Sequence, residues 1–115
     1  MVSIINSFAE VTDKDFGNKV LENPLPVIVI FERSCWGVTH IMKPILKKVT
    51  SSYAGKIEIY RYDMDKYSNV SGSYRVQGGL EILVFNKNTM VNKTGVVSAN
   101  ELKKIIEPII GSTRV

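Results

Sequence analysis

Two short, uninterrupted apolar runs dominate the hydrophobic pattern of the chain, at Pro26–Phe31 and Ile82–Phe85. Runs of this length that are rich in β-branched and aliphatic residues favour strands covered on both faces. Between them, Ile57 and Ile59 alternate with polar residues up to Asp63, which is the period of a strand. The pattern therefore predicts a sheet whose central strands are buried.

Weaker signals predict two more strands. Ile4–Ile5 and Phe8–Val11 suggest an opening strand. Asn86–Asn88 reads as a hairpin turn that leads from the second apolar run into a strand over Met90–Lys93.

Apolar residues recur at helical spacing in two long segments. Val38–Tyr53 carries the first pattern, and Pro44 lies inside it, where the proline ring is expected to kink the helix. The second segment opens with Ser98-Ala-Asn-Glu101, the signature of a capping box. The apolar residues that follow it share one predicted buried face: Leu102, Ile105, Ile106 and Ile109.

Two further helices are predicted from weaker patterns. Thr12–Asp13, with Asp15 close behind, forms a plausible helix cap with acidic residues in the first turn. Phe16, Val20 and Leu21 then recur at helical spacing, and Asn23–Pro24 ends the helix. A short helix is also expected around Asn69–Tyr74.

The order β-α-β-α-β-(α)-β-β-α predicts an α/β fold with a central mixed sheet covered by helices on both faces. The chain has 115 residues, of which 44% are hydrophobic. This length suits one globular domain over residues 1–115 and leaves no room for a second.

Charge and composition exclude several classes of function. Lys and Arg outnumber Asp and Glu by 15 to 11, but the charges are scattered rather than clustered, so nucleic-acid binding is disfavoured. No apolar run approaches the roughly 18 residues of a membrane span, and the N-terminus lacks a secretion signal. A single cysteine excludes an internal disulfide framework. We expect a cytoplasmic protein with no membrane contact.

The segment Phe31–Leu46 reads F-E-R-S-C-W-G-V-T-H-I-M-K-P-I-L. It resembles the active-site strand, turn and helix of the thioredoxin family, F-W-A-x-W-C-G-P-C-K-x-x-x-P-x-L. On that register Trp36 occupies the position of the attacking cysteine and Thr39 that of the resolving cysteine. The resemblance covers nearly the whole chain and implies the thioredoxin fold, with a mixed sheet of four to five strands.

The resemblance implies other replacements. Ile30 stands where the family has a buried, proton-handling acid. Leu80 stands at the cis-proline, and we expect a trans bond before it because a non-proline cis bond costs about 3–4 kcal/mol. Gly78–Gly79 would absorb the backbone change. Arg61 stands where the family has a lysine facing the acid, so it must find solvent or another partner.

Dithiol exchange requires an attacking thiolate and a second thiol that releases the mixed disulfide. With one cysteine, the chain is expected to lack that activity. Cys35 stays open as a reactive thiol, because a position near a helix N-terminus and close to Arg33 can lower the pKa of a thiol. An inert cysteine is the alternative.

Neither a metal nor a cofactor is expected, because Cys35 and the surface residue His40 supply only two ligands. Asp63 and Asp65 are more easily read as caps of the following turn than as paired catalytic acids.

In the family, the motif loop, the loop before the cis-proline and the glycine after the last strand form the groove that holds substrate polypeptides. The corresponding residues here, called the groove below, are Cys35, Trp36, Gly37, Val38, Gly78, Gly79, Leu80, Gly95 and Val96. We expect them to bind another protein or polypeptide segment, with Trp36, Val38 and Leu80 as apolar anchors. Trp36 folded back into the domain is the alternative. A monomer or weak dimer is expected, with an intermolecular disulfide through Cys35 left open.

Overall fold

The computed structural model describes residues 8–33, 38–95 and 97–111, with the backbone alone at 38–41 and 111. Its elements, in chain order, are β1 (Ala9–Glu10), β2 (Val27–Glu32), α1 (Val38–Ser52), β3 (Glu58–Asp63), α2 (Asn69–Ser73), β4 (Leu80–Asn86), β5 (Thr89–Thr94) and α3 (Ala99–Gly111). A π-helical turn, Gly17–Leu21, lies between β1 and β2. None of the described helices is both long and apolar enough to cross a membrane.

The five strands form one mixed sheet in the order β1-β3-β2-β4-β5. β3 runs parallel to both β1 and β2, whereas β4 is antiparallel to β2 and to β5. All six residues of β2 are buried because this strand lies in the middle of the sheet with packed layers on both sides. The predicted mixed sheet with helices on both faces is confirmed.

Alternate residues of β2 serve two separate cores. Ile28 and Ile30 face α1 and α3, and we call this side the α1 face. Val27, Val29 and Phe31 face the opposite side, the α2 face, where the π-helical turn and α2 pack. A strand presents successive side chains to opposite faces, so one apolar run supplies both cores.

The helix predicted after Thr12 was wrong in type and length. Thr12 does cap the segment: its N–H donates to Asp15 Oδ1 at 2.6 Å, and the Asp15 N–H donates to Thr12 Oγ1 at 3.3 Å. The chain then forms a π-helical turn, closed by a bond from the Glu22 N–H to the Gly17 carbonyl at 2.9 Å. A segment this short, with glycine inside it, gains little from α-helical hydrogen bonding.

The remaining elements agree closely with the sequence predictions. α1 runs from Val38 to Ser52 with Pro44 inside it, and the kink expected at Pro44 stays a prediction. The capping box of α3 is present, since the Ser98 N–H donates to Glu101 Oε1 at 3.0 Å and the Glu101 N–H donates to Ser98 Oγ at 3.2 Å. Lys87 and Asn88 take positive φ angles of 53° and 68° at the β4–β5 turn. The part of the opening strand expected at Ile4–Ile5 lies outside the described residues.

Candidate functional site

The groove predicted from the sequence is only partly described. Cys35, Trp36, Gly37 and Val96 lie outside the described residues, and of Val38 and Thr39 the backbone alone is described, in the first turn of α1. Four groove residues are described in full: Gly78, Gly79, Leu80 and Gly95.

The described groove residues meet beside the end of β2. Glu32 pairs with Leu80 in the β2–β4 register, and the Arg33 N–H donates to the Gly79 carbonyl at 3.2 Å. Thr94 pairs with Ile82, so the residue after β5, Gly95, follows at the same end of β4. The structure therefore brings residues 78–80 and 95 together at the point where the chain leaves β2 towards the motif.

Leu80 differs in one respect from the sequence-based expectation. Its preceding peptide bond is trans, as expected, and Gly78 takes a positive φ of 87° that favours glycine. However, the Leu80 side chain is only 9% exposed and packs in the α1-face core. Because it shares its strand face with Ile82 and Val84, it points inwards. The expectation that Leu80 offers an exposed anchor was therefore wrong.

Gly78 and Gly95 border open space. A Cβ atom added at either position would meet, among the described residues other than its chain neighbours, no atom within 4 Å. Gly95 also has no positive φ that would require glycine. Packing among the described residues therefore does not explain a glycine at position 95.

An ion cluster lies beneath the groove where the family has its buried acid. Ile30 pairs with Arg61 in the β2–β3 register and is 3% exposed. Arg61 Nη1 lies 3.5 Å from Glu32 Oε2, and its Nη2 lies 3.2 Å from Glu10 Oε1. Arg61 was expected to find either solvent or another partner in place of the missing acid. It has two carboxylate partners, which lie on the strands at either side of β3.

Sequence reasoning missed Glu32 as a member of this site. Its side chain is 5% exposed, and it follows Ile30 by two positions, so both side chains lie on the α1 face. The period of two along a strand was the available signal. Glu32 therefore places a carboxylate two residues after Ile30 on the same face of the strand. Lys43 of α1, 7% exposed, lies near Glu32 and Arg61 and was also missed.

Glu10 connects the cluster to the surface. Lys66 Nζ lies 3.8 Å from Glu10 Oε1, and the Tyr67 hydroxyl donates to Glu10 Oε2 at 3.1 Å. The hydrogen bond to this carboxylate raises the pKa of Tyr67 above its ordinary value. The Glu10 carboxylate therefore interacts with three side chains at once, those of Arg61, Lys66 and Tyr67.

Asp63 caps the turn after β3 as the sequence predicted, and the Asp65 side chain has a different partner. The Asp65 N–H donates to Asp63 Oδ1 at 2.9 Å, which closes the turn after β3. Asp65 Oδ1 also lies 3.7 Å from Arg33 Nη1. This pairing offsets the positive charge that Arg33 was expected to place near Cys35.

In the described part of the chain, no group of three or more His, Cys, Asp and Glu side chains could hold a metal ion. The side chains of Cys35 and His40 lie outside that part. The expectation that the protein binds no metal therefore stays a prediction.

Comparison with known proteins matches the chain to one family. The Thioredoxin family model matches residues 7–108. The chain is similar to the thioredoxin of Buchnera aphidicola subsp. Schizaphis graminum, with 28% identity over 104 residues that cover 90% of this chain and 96% of that protein. It is 27% identical to the thioredoxin of Chlorobaculum thiosulfatiphilum over 105 residues, which cover 90% of this chain and 97% of that protein. Similarity to the thioredoxin of Rickettsia felis is 29% over 93 residues, which cover 80% of this chain and 89% of that protein.

Proposed function

The chain belongs to the thioredoxin family, and we propose that it works as a redox-inactive member that binds another polypeptide through the groove. The observation that carries this proposal is the replacement of both redox cysteines, with Trp36 and Thr39 at their positions and Cys35 the one cysteine of the chain. Release of a mixed disulfide by a second thiol of the same chain is then unavailable.

The surroundings of the motif support the loss of redox chemistry. General acid–base catalysis needs a group that can exchange a proton with the reacting thiols. Ile30 cannot do so, and Glu32 is engaged in an ion pair with Arg61. Glu32 and Arg61, which lie beneath the groove, are thus paired with one another.

The open glycines support the binding role. A polypeptide backbone can approach closely where no side chain projects, and both Gly78 and Gly95 face open space. In the sequence, Trp36 stands between the end of β2 and the start of α1. Aromatic side chains of this kind supply much of the binding energy at protein interfaces.

The absence of dithiol activity is tested by reduction of insulin with dithiothreitol as the electron source. We expect turnover no faster than the uncatalysed reaction. The double variant Trp36→Cys/Thr39→Cys should give a weak enzyme, and adding Ile30→Asp should increase its rate by restoring a proton-exchanging group. Clear turnover by the wild-type chain would overturn the proposal of redox inactivity.

The binding role is tested by affinity capture of partners from the source cells, with wild type and Trp36→Ala compared. Truncating a central aromatic anchor typically costs about 2 kcal/mol of binding, which is roughly a thirtyfold loss of affinity. Trp36→Ala should therefore lose the partner and keep its melting temperature. A lower melting temperature with intact binding would show that Trp36 belongs to the core.

Gly95→Val provides an independent test at the other side of the groove. Its new side chain has space within the domain, so folding should be unaffected, but it would block the approach of a partner backbone. Gly72→Ala is the matched control, because Gly72 is equally open but lies in α2 on the other side of the sheet. Equal binding by both variants would place the partner elsewhere.

The alternative function is single-cysteine thiol–disulfide exchange or redox sensing at Cys35. A helix N-terminus lowers the pKa of a nearby thiol, and the sequence places Cys35 three residues before α1. The positive charge of Arg33 was the second reason to expect a lowered pKa at Cys35, and its pairing with Asp65 weakens that reason. The rate of Cys35 alkylation, measured as a function of pH, tests this function: a midpoint below the ordinary thiol pKa of about 8.5 favours the sensor.

We further propose a cytoplasmic location and a monomeric or weakly dimeric state.

A further inference from the structure

The loop that leads from α2 to the groove carries an arginine where the backbone favours glycine. Arg75 has a positive φ of 56°, and its N–H donates to the Gly72 carbonyl at 3.1 Å. The next N–H, that of Val76, donates to the Ser71 carbonyl at 2.9 Å. These two bonds form the Schellman motif of helix ends, in which the left-handed residue is usually glycine. The fold of this loop therefore does not require the side chain of Arg75.

Two strands hold this loop beside the groove. Lys93 Nζ donates to the Arg75 carbonyl at 2.9 Å, and Lys93 lies two residues before Gly95 in the sequence. Glu81 Oε2 accepts from the Gln77 N–H at 3.0 Å. The backbone of Arg75 is thus fixed next to the end of β5, three residues before the first groove glycine of its own loop.

The charged side chains near this end of the sheet occur in pairs, with Arg75 as an exception. Lys93 Nζ lies 3.7 Å from Glu81 Oε1, and Arg33 Nη1 lies 3.7 Å from Asp65 Oδ1. Arg75 is exposed, and its side chain makes no hydrogen bond or ion pair with any residue that the structure describes. Its positive charge is therefore available to a bound chain.

We propose that Arg75 recognises an acidic side chain of the polypeptide in the groove, so that the partner segment carries Asp or Glu beside its contact with the groove. This inference rests on the binding role proposed above. A guanidinium binds a carboxylate through two parallel hydrogen bonds, which orient the partner as well as adding affinity. Nucleic acid is disfavoured, because its phosphates call for several available basic residues on one face, whereas Lys93 and Arg33 are paired.

Selection from a phage-displayed library of random peptides on the immobilised intact chain tests the proposal. We expect the wild type to enrich peptides with an acidic residue at a fixed distance from an apolar one, and Gly95→Val to bind them poorly. Replacing that acid by its amide should weaken binding to the wild type roughly three- to fivefold, the upper range for an exposed ion pair. Arg75→Gly should bind both peptides equally and melt no lower than the wild type.

Charge reversal provides a matched comparison. Arg75→Glu should select Lys or Arg where the wild type selects an acid. Lys87→Glu is the control, because Lys87 is also exposed and has a positive φ of 53°, but it lies in the turn at the other end of β4. This control should select the same peptides as the wild type.

The outcomes separate this proposal from the binding role of the groove. Selected peptides that need Gly95 but show no acidic preference would overturn the role of Arg75 and leave the groove function intact. Selected peptides that bind Gly95→Val as well as the wild type, or no selected peptide at all, would overturn both. Binding of a labelled oligonucleotide that Arg75→Gly abolishes would overturn the assignment to an acidic polypeptide in favour of nucleic acid.

Discussion

Arg61 and Tyr62 are neighbours in β3, yet they organise two different polar networks on opposite faces of the sheet. Arg61 holds Glu10 and Glu32 on the α1 face by ion pairing. On the α2 face, the Tyr62 hydroxyl donates to Asp13 Oδ1 at 2.7 Å and accepts from the Ser71 N–H at 3.3 Å. The ionic network leaves Arg61 Nε without a partner among the described residues, whereas the phenol both donates and accepts.

The Tyr62 network also ties distant segments together. Asp13 Oδ1 accepts from the Val70 N–H at 3.0 Å, and its Oδ2 accepts from the Asn69 N–H at 3.2 Å. A carboxylate near the start of the chain thus caps α2, more than fifty positions away. The α1 face thus satisfies its polar groups by pairing opposite charges, whereas on the α2 face neutral donors converge on one carboxylate.

The largest expected effect is on the ionic network. Arg61→Met should lower the free energy of unfolding by about 3 kcal/mol, because it removes the Arg61 charge from the buried Glu32. Urea denaturation measures the loss. The double variant Arg61→Met/Glu32→Leu should regain most of it, since apolar replacement of both partners of a buried pair is often neutral. A double variant no more stable than the single one would show that Glu32 is not the source of the cost.

A smaller effect is expected on the α2 face. Tyr62→Phe should cost about 2 kcal/mol, because it leaves the buried Ser71 N–H without its acceptor and removes one donor to Asp13. Tyr60→Phe is the matched control: its hydroxyl donates to Glu58 Oε1 at 2.9 Å, but the residue is only half-buried, so a smaller loss is expected. Equal losses in thermal or urea unfolding would contradict a special role for Tyr62.

On the α2 face, the contribution of Asp13 to stability should depend on pH. Burial raises the pKa of Asp13, but hydrogen bonds from Tyr62 and from the backbone of Val70 and Asn69 outweigh it and hold the pKa below its ordinary value of 3.8. A carboxyl whose pKa is lower in the folded state stabilises the fold above the unfolded-state pKa, and this contribution disappears as the pH falls through the folded-state pKa.

Asp13→Asn should therefore lose stability at neutral pH and show a shallower decline below about pH 4 than the wild type. Unfolding free energies across a series of acidic buffers provide the measurement. Parallel pH curves for the two proteins would mean that Asp13 does not contribute to acid sensitivity.

The smallest effect is expected at the exposed edge of the ionic network. Lys66 is 60% exposed and lies 3.8 Å from Glu10, so Lys66→Ala should change stability by no more than about 0.5 kcal/mol. A loss comparable with that of Arg61→Met would show that the cluster depends on its surface charge as much as on its buried one.

Much of the architecture was predictable because its signals are local. The apolar runs that became β2 and β4 and the capping box of α3 all depend on residues close in sequence. The motif frame from Phe31 to Pro44 likewise indicated the family, and the sequence contains a single cysteine. These features could be read from periodicity and spacing, which operate over a few residues.

Only the tertiary structure decided the rest. The position of Glu32 beside Arg61 depends on the β2–β3 register, and the capping of α2 by Asp13 depends on how remote segments pack. The inward direction of Leu80 follows from the start of β4, and the segment Gly17–Leu21, which contacts β4, forms a π-helical turn that helical spacing did not indicate. The physical reason is that strand order and register choose the partners of buried polar groups, and a single sequence does not state that choice.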